Sequence, residues 1–475
     1  MSMRPATPAD RPRGPRRREF LKLGLSAFGA LSLPALHRLR AEAARPTSGE
    51  RTAVIVVWLR GGGSQLETYD PKPDAPADYR GPFGSLATTT PGLRVGELLP
   101  LHAKIADKFT VLRSMAHTGG GHPAGSLQLL TGDPDRQDKM KPAFPDFMTV
   151  AHRLRYDARR AMPNYVGVNP ISTYDGFGIA GPAYLGESYA PFAVLGDPNN
   201  PEFRVPNVGL RDPGQLGRMA DRAGLHKSFD TLRRDLDQSG TMESMDRFEG
   251  QALNLLTSAK AAEAFDLNLE TPKVRDRYGR NAWGQQLLMA RRLVEAGVEI
   301  VTSTLDGPLC GRVANWDDHS VNQHIFDAYK FRMPTFDRAV TALIEDIYER
   351  GLDRRVLVVV TGEFGRTPKI SHVASSGGGV ASGAVGTVQP GRDHWPNSNA
   401  MLWAGGGIQT GRIIGATDRR AEEVTERRVG PHDFLATVYA HLGIDYEKVA
   451  LPDFTGRPIP IVQNGKAIPE LLAAG

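Results

Sequence analysis

Apolar runs and periodic apolar positions alternate along most of the chain. Three short continuous runs rich in β-branched residues predict buried parallel strands at residues 52–59, 298–304 and 355–361. Apolar residues at helical spacing predict amphipathic helices over residues 282–296 and 321–350. Strands that alternate with helices favour a parallel sheet covered on both faces. The pattern therefore predicts an α/β fold, a three-layer sandwich with a mainly parallel central sheet.

Other stretches depart from this alternation. Residues 159–271 contain a part rich in Pro, Asn and Gly, followed by dense apolar positions at helical spacing, and we expect a loop-rich and helical insertion there. Residues 375–390 are rich in Gly and Ser and predict a flexible loop. We interpret residues 44–475 as one domain, in which residues 425–475 form a small C-terminal part.

The first 43 residues have the features of an export signal. A basic run at Arg16, Arg17 and Arg18 precedes a modestly apolar stretch, and a small-x-small sequence at residues 41–43 offers a cleavage site. The segment resembles a twin-arginine signal peptide over residues 1–43. We therefore expect the twin-arginine translocase as a partner and a periplasmic or extracellular location. The alternative is an uncleaved signal that anchors the chain in the membrane.

Charge and cysteine content exclude several classes of protein. The formal net charge of the 475 residues is +5, but nine basic and three acidic residues lie in the first 43. The remainder holds 49 basic and 50 acidic residues, a net charge of −1, so no basic surface for nucleic acid is indicated. Cys310 is the only cysteine, which excludes an intramolecular disulfide and a thiolate metal cluster within one chain.

A glycine-rich turn at residues 119–132 presents His122 at the start of a predicted short helix. Backbone N–H groups at a helix N-terminus favour an anion, so a side chain here would face phosphate, sulfate or carboxylate in a suitable field. The alternative is a tight turn that contains a histidine with no special role. More polar clusters follow predicted strands at residues 64–70, 316–319 and 362–368, and another lies at residues 391–396. Such loops at the carboxyl edge of a sheet predict a shared site.

The glycine-rich turn resembles an enzyme signature. Residues 122–132 are similar to the sulfatase signature, in which a cysteine that becomes formylglycine opens the motif and Leu-Thr-Gly closes it. Residues 130–132 match, but His122 stands at the nucleophile position and Ser126 at the arginine position, so no formylglycine can form. Residues 433–444 are similar to the segment near the end of sulfatase domains. These resemblances imply an alkaline-phosphatase-like fold.

A second resemblance covers nearly the whole chain. The twin-arginine signal and residues 62–73, 316–319, 362–368 and 391–396 together resemble a bacterial family called domain of unknown function 1501. Its members are sulfatase-like exported proteins. The joint match is specific, although each stretch alone is a weak signal.

The resemblance implies a metal site. Asp317 and His319 resemble an Asp and His pair of one superfamily metal site, and His394 resembles the last histidine of that site. Imidazole and carboxylate ligands suit a divalent ion such as zinc, calcium or a similar metal. Glu363 falls where an Asp of a second site is usual and Phe364 where a His is usual, so that second site is expected to be incomplete.

Each of these residues also has a structural alternative. Asp317 could cap a helix that starts near His319. His394 could be a packed loop histidine, and Glu363 could form an ion pair with Arg366.

The resemblance also suggests catalytic roles. We expect His122 to be a direct nucleophile or a general acid/base, with His117 as its neighbour. Arg366 or Arg392 would stabilise transition-state charge on an oxyanion. The expected function is metal-dependent hydrolysis of a phosphate or sulfate ester, with an anionic small molecule or glycan as substrate. The alternatives are a non-catalytic binding protein for sulfated or phosphorylated glycans and a structural component of a periplasmic assembly.

Overall fold

The computed structural model describes residues 51–472 apart from residues 158, 207, 209–254, 256–257, 308–314 and 379–380. The predicted signal at residues 1–43, the sole cysteine and most of the predicted helical insertion lie outside these residues. Within the part of the chain that the structure describes, no helix is both long and apolar enough to cross a membrane.

A central sheet of eight strands forms the middle of the fold. In chain order the strands are β1 Ala53–Trp58, β2 Phe109–Met115, β3 Tyr165–Val168, β4 Phe192–Val194, β5 Ile300–Thr304, β6 Val356–Thr361, β7 Asn399–Gly405 and β8 Arg412–Ile414. Across the sheet their order is β8-β2-β7-β6-β1-β5-β3-β4. Only β7 runs against its neighbours in this sheet, and the other strands share one direction. The mainly parallel sheet predicted from the sequence is confirmed.

Helices connect most of these strands. They are α1 Ala77–Arg80, α2 Pro100–Lys104, α3 His122–Thr131, α4 Phe147–Arg155, α5 Ala259–Phe265, α6 Pro272–Tyr278, α7 Ala282–Glu295, α8 Ile325–Glu349 and α9 Pro431–His441. The two helices predicted from periodicity correspond to α7 and α8. Pro334 lies inside α8.

The helices form a layer on each face of the sheet. Alternate residues of β1 enter two separate apolar clusters, with Ile55 and Val57 in one and Val54 and Val56 in the other. Helices α7 and α8 contribute to the first cluster, and helices α3, α4 and α9 to the second. Strands buried on both faces need apolar residues at every position, which explains the continuous apolar runs in the sequence. The predicted three-layer sandwich is thus confirmed.

Two strands lie where the sequence indicates a loop-rich segment. β3 and β4 both fall within residues 159–271 and extend the sheet beyond β5. They are four and three residues long, too short to give a clear strand pattern. The described part of the segment therefore contributes two strands to the central sheet.

Small antiparallel ribbons lie outside the central sheet. They pair Ser85–Ala87 with Arg94–Gly96, Thr173–Tyr174 with Phe177–Gly178, Gly365–Arg366 with His394–Trp395, Ser371–Ala374 with Val388–Gly391, Ala416–Thr417 with Val424–Glu426, and Ala450–Pro452 with Pro458–Pro460. The ribbon of Gly365–Arg366 and His394–Trp395 joins the loop after β6 to the loop before β7. Because β7 is antiparallel, its start lies at the same sheet edge as the ends of β1, β2, β5 and β6.

Candidate metal centre

Four side chains from three segments of the chain meet at this edge of the sheet. His122 begins α3 after β2, Asp317 and His319 lie in the connection between β5 and α8, and His394 precedes β7. Each offers one potential ligand atom, and these four atoms all lie within 4.8 Å of one another. We call His122, Asp317, His319 and His394 the four-residue cluster.

Close backbone packing brings these loops together. Gly61, just after β1, has a φ of 107°, and a Cβ on it would lie 2.6 Å from the backbone nitrogen of Asp317. Any other residue would be strained at this φ and would push the Asp317 loop away. Pro123 in the first turn of α3 suits the start of a helix, where its missing N–H is no loss.

The three histidines of the cluster all turn Nε2 toward Asp317. The Nε2 atoms of His319 and His394 lie 3.0 and 3.3 Å from Asp317 Oδ1, and that of His122 lies 3.3 Å from Oδ2. The two Nε2 atoms of His319 and His394 are 2.9 Å apart. Zinc–nitrogen distances of about 2.0–2.1 Å place tetrahedral ligand atoms roughly 3.3 Å apart. The closest donor pairs have about this spacing, and no two ligand atoms of the cluster are more than 4.8 Å apart.

The opposite ring nitrogen of each histidine has an acceptor. His122 Nδ1 lies 2.7 Å from Glu363 Oε1, and His319 Nδ1 lies 2.6 Å from Asp393 Oδ1. His394 Nδ1 lies 2.7 Å from the backbone oxygen of Gly120. These acceptors assign the proton of each neutral ring to Nδ1, which leaves the Nε2 lone pair available to a metal.

His122 Nε2 is the least satisfied atom of the cluster. The side chain is buried, and Nε2 makes no hydrogen bond within the described residues, although Asp317 is within ion-pair distance. Tyr174 stacks on the ring with centroids 3.8 Å apart, and Phe364 packs beside it. A buried polar atom without a partner costs stability, so this nitrogen is suited to a ligand.

Charges around Asp317 keep it ionised. Burial acts to raise the pKa of Asp317, but the Arg366 guanidinium, 2.6 Å away, and the three histidines outweigh burial and hold that pKa well below its usual range. For His319, burial acts to lower the pKa, but Asp317 and Asp393 outweigh it and raise that pKa to about 9. The cluster therefore combines a carboxylate that stays ionised, Asp317, with imidazoles that lie next to negatively charged groups.

The pKa values of His122 and His394 depend on the same two effects, burial and nearby charge, but shift in opposite directions. Burial is the largest influence on both. It prevails at His394 and lowers its pKa, whereas the carboxylates of Asp317 and Glu363 outweigh it at His122 and raise the pKa there.

Glu363 lies behind His122 and outside the four-residue cluster. Its Oε1 accepts hydrogen bonds from the backbone N–H of Gly61 at 2.9 Å and from His122. Arg366 pairs with Asp317 and also donates to the backbone oxygen of Gly62 at 3.0 Å. The alternative in which Glu363 pairs with Arg366 is therefore wrong. The alternative in which Asp317 caps a helix is also wrong, because α8 begins at Ile325 with His324 as its cap.

Two further residues with expected catalytic roles are buried in the supporting structure. His117 Nδ1 accepts from the N–H of Gly119 at 3.2 Å, and its Nε2 donates to the backbone oxygen of Glu363 at 2.7 Å. Burial lowers the pKa of His117 to about 4. Arg392 is fully buried and donates to Glu67 Oε1 at 2.8 Å and to several backbone oxygens. Arg366 is equally buried, so neither guanidinium faces solvent.

Comparison with known families identifies the family of the chain. The family model described as "Protein of unknown function (DUF1501)" matches residues 51–472. The chain belongs to this family. The DUF1501 assignment made from the sequence is thus confirmed. No curated protein matches the chain.

Several solved structures are similar to this DUF1501 chain. They include a sulfatase from Pseudoalteromonas sp., at 13% identity and a TM-score of 0.32, covering 91% of this chain and 73% of that one. An alkaline phosphatase superfamily protein from Vibrio parahaemolyticus has 10% identity and a TM-score of 0.32, with 84% and 68% covered. The phosphonate monoester hydrolase of Agrobacterium radiobacter has 12% identity and a TM-score of 0.32, with 83% and 74% covered. At this level of similarity, nothing about activity or ligands passes from them to the DUF1501 chain.

The N-terminus of α3, which was expected to face an anionic ligand, is already occupied by the carboxylate of Asp138. Asp138 Oδ1 accepts the N–H of Ala124 at 3.0 Å, and the N–H of Gly125 bonds to the oxygen of Gly121. Ser64, which follows β1, is buried and donates to Glu67. Glu67 in turn accepts a hydrogen bond from the buried Arg392.

Sequence reasoning missed three residues that shape the DUF1501 site. Asp393 holds His319, Tyr174 covers His122 and Asp138 caps α3. A signal for Asp393 was available, because it directly precedes His394. Tyr174 lies in the loop-rich segment, about fifty residues from His122 in the chain, and had no such signal.

Proposed function

We propose that this chain is a metal-dependent hydrolase of phosphate or sulfate esters, and that its metal is held by His122, Asp317, His319 and His394. The observation that carries the proposal is the convergence of three imidazole Nε2 atoms on one carboxylate, with an acceptor behind each Nδ1. Metal-binding histidines usually have this support from a carboxylate or a backbone carbonyl. Three nitrogens and one carboxylate favour zinc or a similar first-row ion over calcium, which prefers oxygen ligands.

The proposal gives His122 a different role from the sulfatase nucleophile. Both of its ring nitrogens face groups of the site, with Nδ1 against Glu363 and Nε2 toward Asp317. We assign His122 as a metal ligand and Glu363 as the residue that fixes its tautomer and orientation. Arg366 would keep Asp317 ionised and in place, and Tyr174 would exclude water from one side of the His122 ring.

The cluster is open on one side, as a catalytic site requires. The side chains of His319 and His394 are each 21% exposed and that of Asp317 is 14% exposed, whereas Glu363 behind them is fully buried. A divalent ion held here would act as a Lewis acid that polarises an oxygen of the ester. Catalytic sites keep an open position, so an ion held by these four side chains would take the ester oxygen as a fifth ligand from the exposed side.

The test is hydrolysis of p-nitrophenyl phosphate and p-nitrophenyl sulfate by the purified protein. We expect turnover of at least one ester, its loss after chelation and its return with zinc, manganese or cobalt. His394→Ala should abolish turnover, and His372→Ala should not, because His372 is exposed and lies outside the cluster. Turnover that survives chelation, or a wild-type protein that hydrolyses neither ester with any of these metals, would contradict the proposal.

We also propose that residues 1–43 direct export by the twin-arginine translocase. The basic run ends in Arg17 and Arg18, followed by the apolar stretch. Fractionation of cells that express the full chain should place it outside the cytoplasm. The double substitution Arg17→Lys and Arg18→Lys should retain it inside, and equal export of both chains would overturn this route.

A further inference from the structure

A cavity lies beside the four-residue cluster at the same edge of the sheet. Its volume is about 500 Å³, and it is bordered by the ends of β1, β3, β4 and β5 and the start of α7. Pockets for small ligands have volumes of about 300–1,000 Å³. Arg60 lines the cavity and lies 4.2 Å from the centre of the Tyr174 ring, which in turn stacks on His122. Two stacked side chains thus connect the cavity wall to the cluster.

One wall of the cavity has buried polar groups without partners. Trp58 and Thr304 are register neighbours on β1 and β5, and both line the cavity. Trp58 Nε1 and Thr304 Oγ1 make no hydrogen bond among the described residues, although Trp58 is fully buried and Thr304 is only 6% exposed. Gln286 of α7 adds a buried amide to the same lining. Buried polar groups in native proteins are nearly always paired, so these groups indicate a missing hydrogen-bonding partner.

The charges of the cavity do not favour an anion. Among the described residues that line the cavity, Arg60 is the sole cationic side chain, and it forms an ion pair with Asp306 at 2.7 Å. Asp197 adds a second carboxylate to the lining. The charge of Arg60 is therefore neutralised by Asp306, and a bound phosphate or sulfate would meet the remaining negative charge of Asp197.

The remaining lining is apolar. Ile171 and Ile179 are buried there, and Leu195 is 70% exposed at the same cavity. A ring with hydroxyl groups at its edge and C–H groups on its faces would match hydrogen-bonding groups on one wall and aliphatic side chains on another.

We propose that this cavity binds an uncharged, hydroxyl-rich ring, a neutral sugar unit, through Trp58, Gln286 and Thr304. The inference that the sugar is the non-reacting part of an ester substrate rests on the proposed function. The binding of the sugar itself does not, because the cavity residues are separate from the four-residue cluster.

The test measures binding of free neutral sugars to the full chain by saturation-transfer NMR and titration calorimetry. The probes are D-glucose, D-galactose, D-mannose, D-xylose, lactose and maltose, each with and without chelator. We expect at least one to bind, with or without metal. Thr304→Val and Gln286→Met each remove a hydrogen-bonding group with little change of shape and should weaken binding about five- to tenfold.

The matched control is Thr302→Val. Thr302 lies two residues earlier on β5, on the same side of the strand, is fully buried where Thr304 is 6% exposed, and does not line the cavity. Its binding should equal that of the wild type.

Failure of all six sugars to bind would overturn the inference, as would equal binding by wild type, Thr304→Val and Gln286→Met. Binding that is lost only in Thr302→Val would do the same. Since sugar binding is measured without turnover, these outcomes are distinct from a failure to hydrolyse aryl esters, which concerns the proposed function alone.

Discussion

The fold contains two kinds of histidine–carboxylate pair, and they differ in the state of the second ring nitrogen. His102 is fully buried, with Nδ1 2.6 Å from Asp337 Oδ1 and Nε2 3.4 Å from the Tyr69 hydroxyl. His122 has the same short contact to Glu363, but its Nε2 has no hydrogen bond among the described residues. The first pair is closed within the protein, whereas the second turns its remaining nitrogen toward Asp317 in a partly exposed cluster. A carboxylate beside a histidine therefore indicates a metal ligand only where the other nitrogen is left available.

The largest effect on stability should come from breaking the closed pair. Asp337 on α8 also accepts the N–H groups of Leu101 and His102, both at 2.9 Å, at the start of α2. Asp337→Ala would leave these groups unpaired, and we expect a loss of about 3–5 kcal/mol in the free energy of unfolding. Urea unfolding measures the loss. Metal content per folded chain should remain that of the wild type, and a selective loss of metal would erase the distinction between the two pairs.

Both ring nitrogens of His117 have hydrogen-bond partners within the protein, as those of His102 do. The pH dependence of stability should show that His117 is buried in its neutral form. Burial lowers its pKa to about 4 from 6.5, so between these pH values the unfolded chain binds more protons than the folded chain. Stability is then fully present above pH 6.5 and falls as the pH drops toward 4, by up to about 1.4 kcal/mol per pH unit and about 3 kcal/mol in total from this residue.

Urea unfolding from pH 7 to 4 checks the His117 prediction. The slope of unfolding free energy against pH should be smaller in His117→Gln than in the wild type. Identical slopes in the two proteins would mean that His117 titrates normally.

Glu363→Gln should affect the metal more than the fold. The amide can still accept the N–H of Gly61, but its charge no longer supports His122. We expect metal affinity to fall about 10- to 100-fold, as for other residues that support metal ligands. A chelator competition titration measures this. The variant could instead bind metal like the wild type and lose stability as Asp337→Ala does. The pair of His122 and Glu363 would then be structural, like that of His102 and Asp337.

Asp393→Asn should have the smallest effect. Asp393 supports His319 as Glu363 supports His122, but its side chain is 53% exposed. Solvent screens exposed charges, so we expect the affinity for metal to fall by about tenfold or less. The same competition titration ranks the two variants, and a larger loss for Asp393→Asn than for Glu363→Gln would reverse the order proposed here.

The main strands and helices could be predicted from the sequence more reliably than the contacts between distant parts of the chain. Residues 52–59 and 355–361 gave β1 and β6 because strands covered on both faces are apolar throughout. β3 and β4 are too short for such a pattern. The antiparallel direction of β7 depends on its pairing with β6 and β2, which local sequence does not encode.

The candidate site shows the same limit. The grouping of Asp317, His319 and His394 was expected from a resemblance, and the structure brings these side chains together with His122. The pairing of His122 with Glu363 joins residues 241 positions apart and depends on the close approach of loops at Gly61. No local pattern distinguishes a metal ligand from a residue that supports it.

The most direct test of the central claim is the zinc affinity of His122→Ala, measured by chelator competition beside that of wild type. If His122 is a ligand, the wild type should bind one zinc ion per chain, and the variant should bind it at least about 100-fold more weakly while remaining folded. Equal affinity in the two proteins, or a wild-type chain that binds no zinc, would contradict the account.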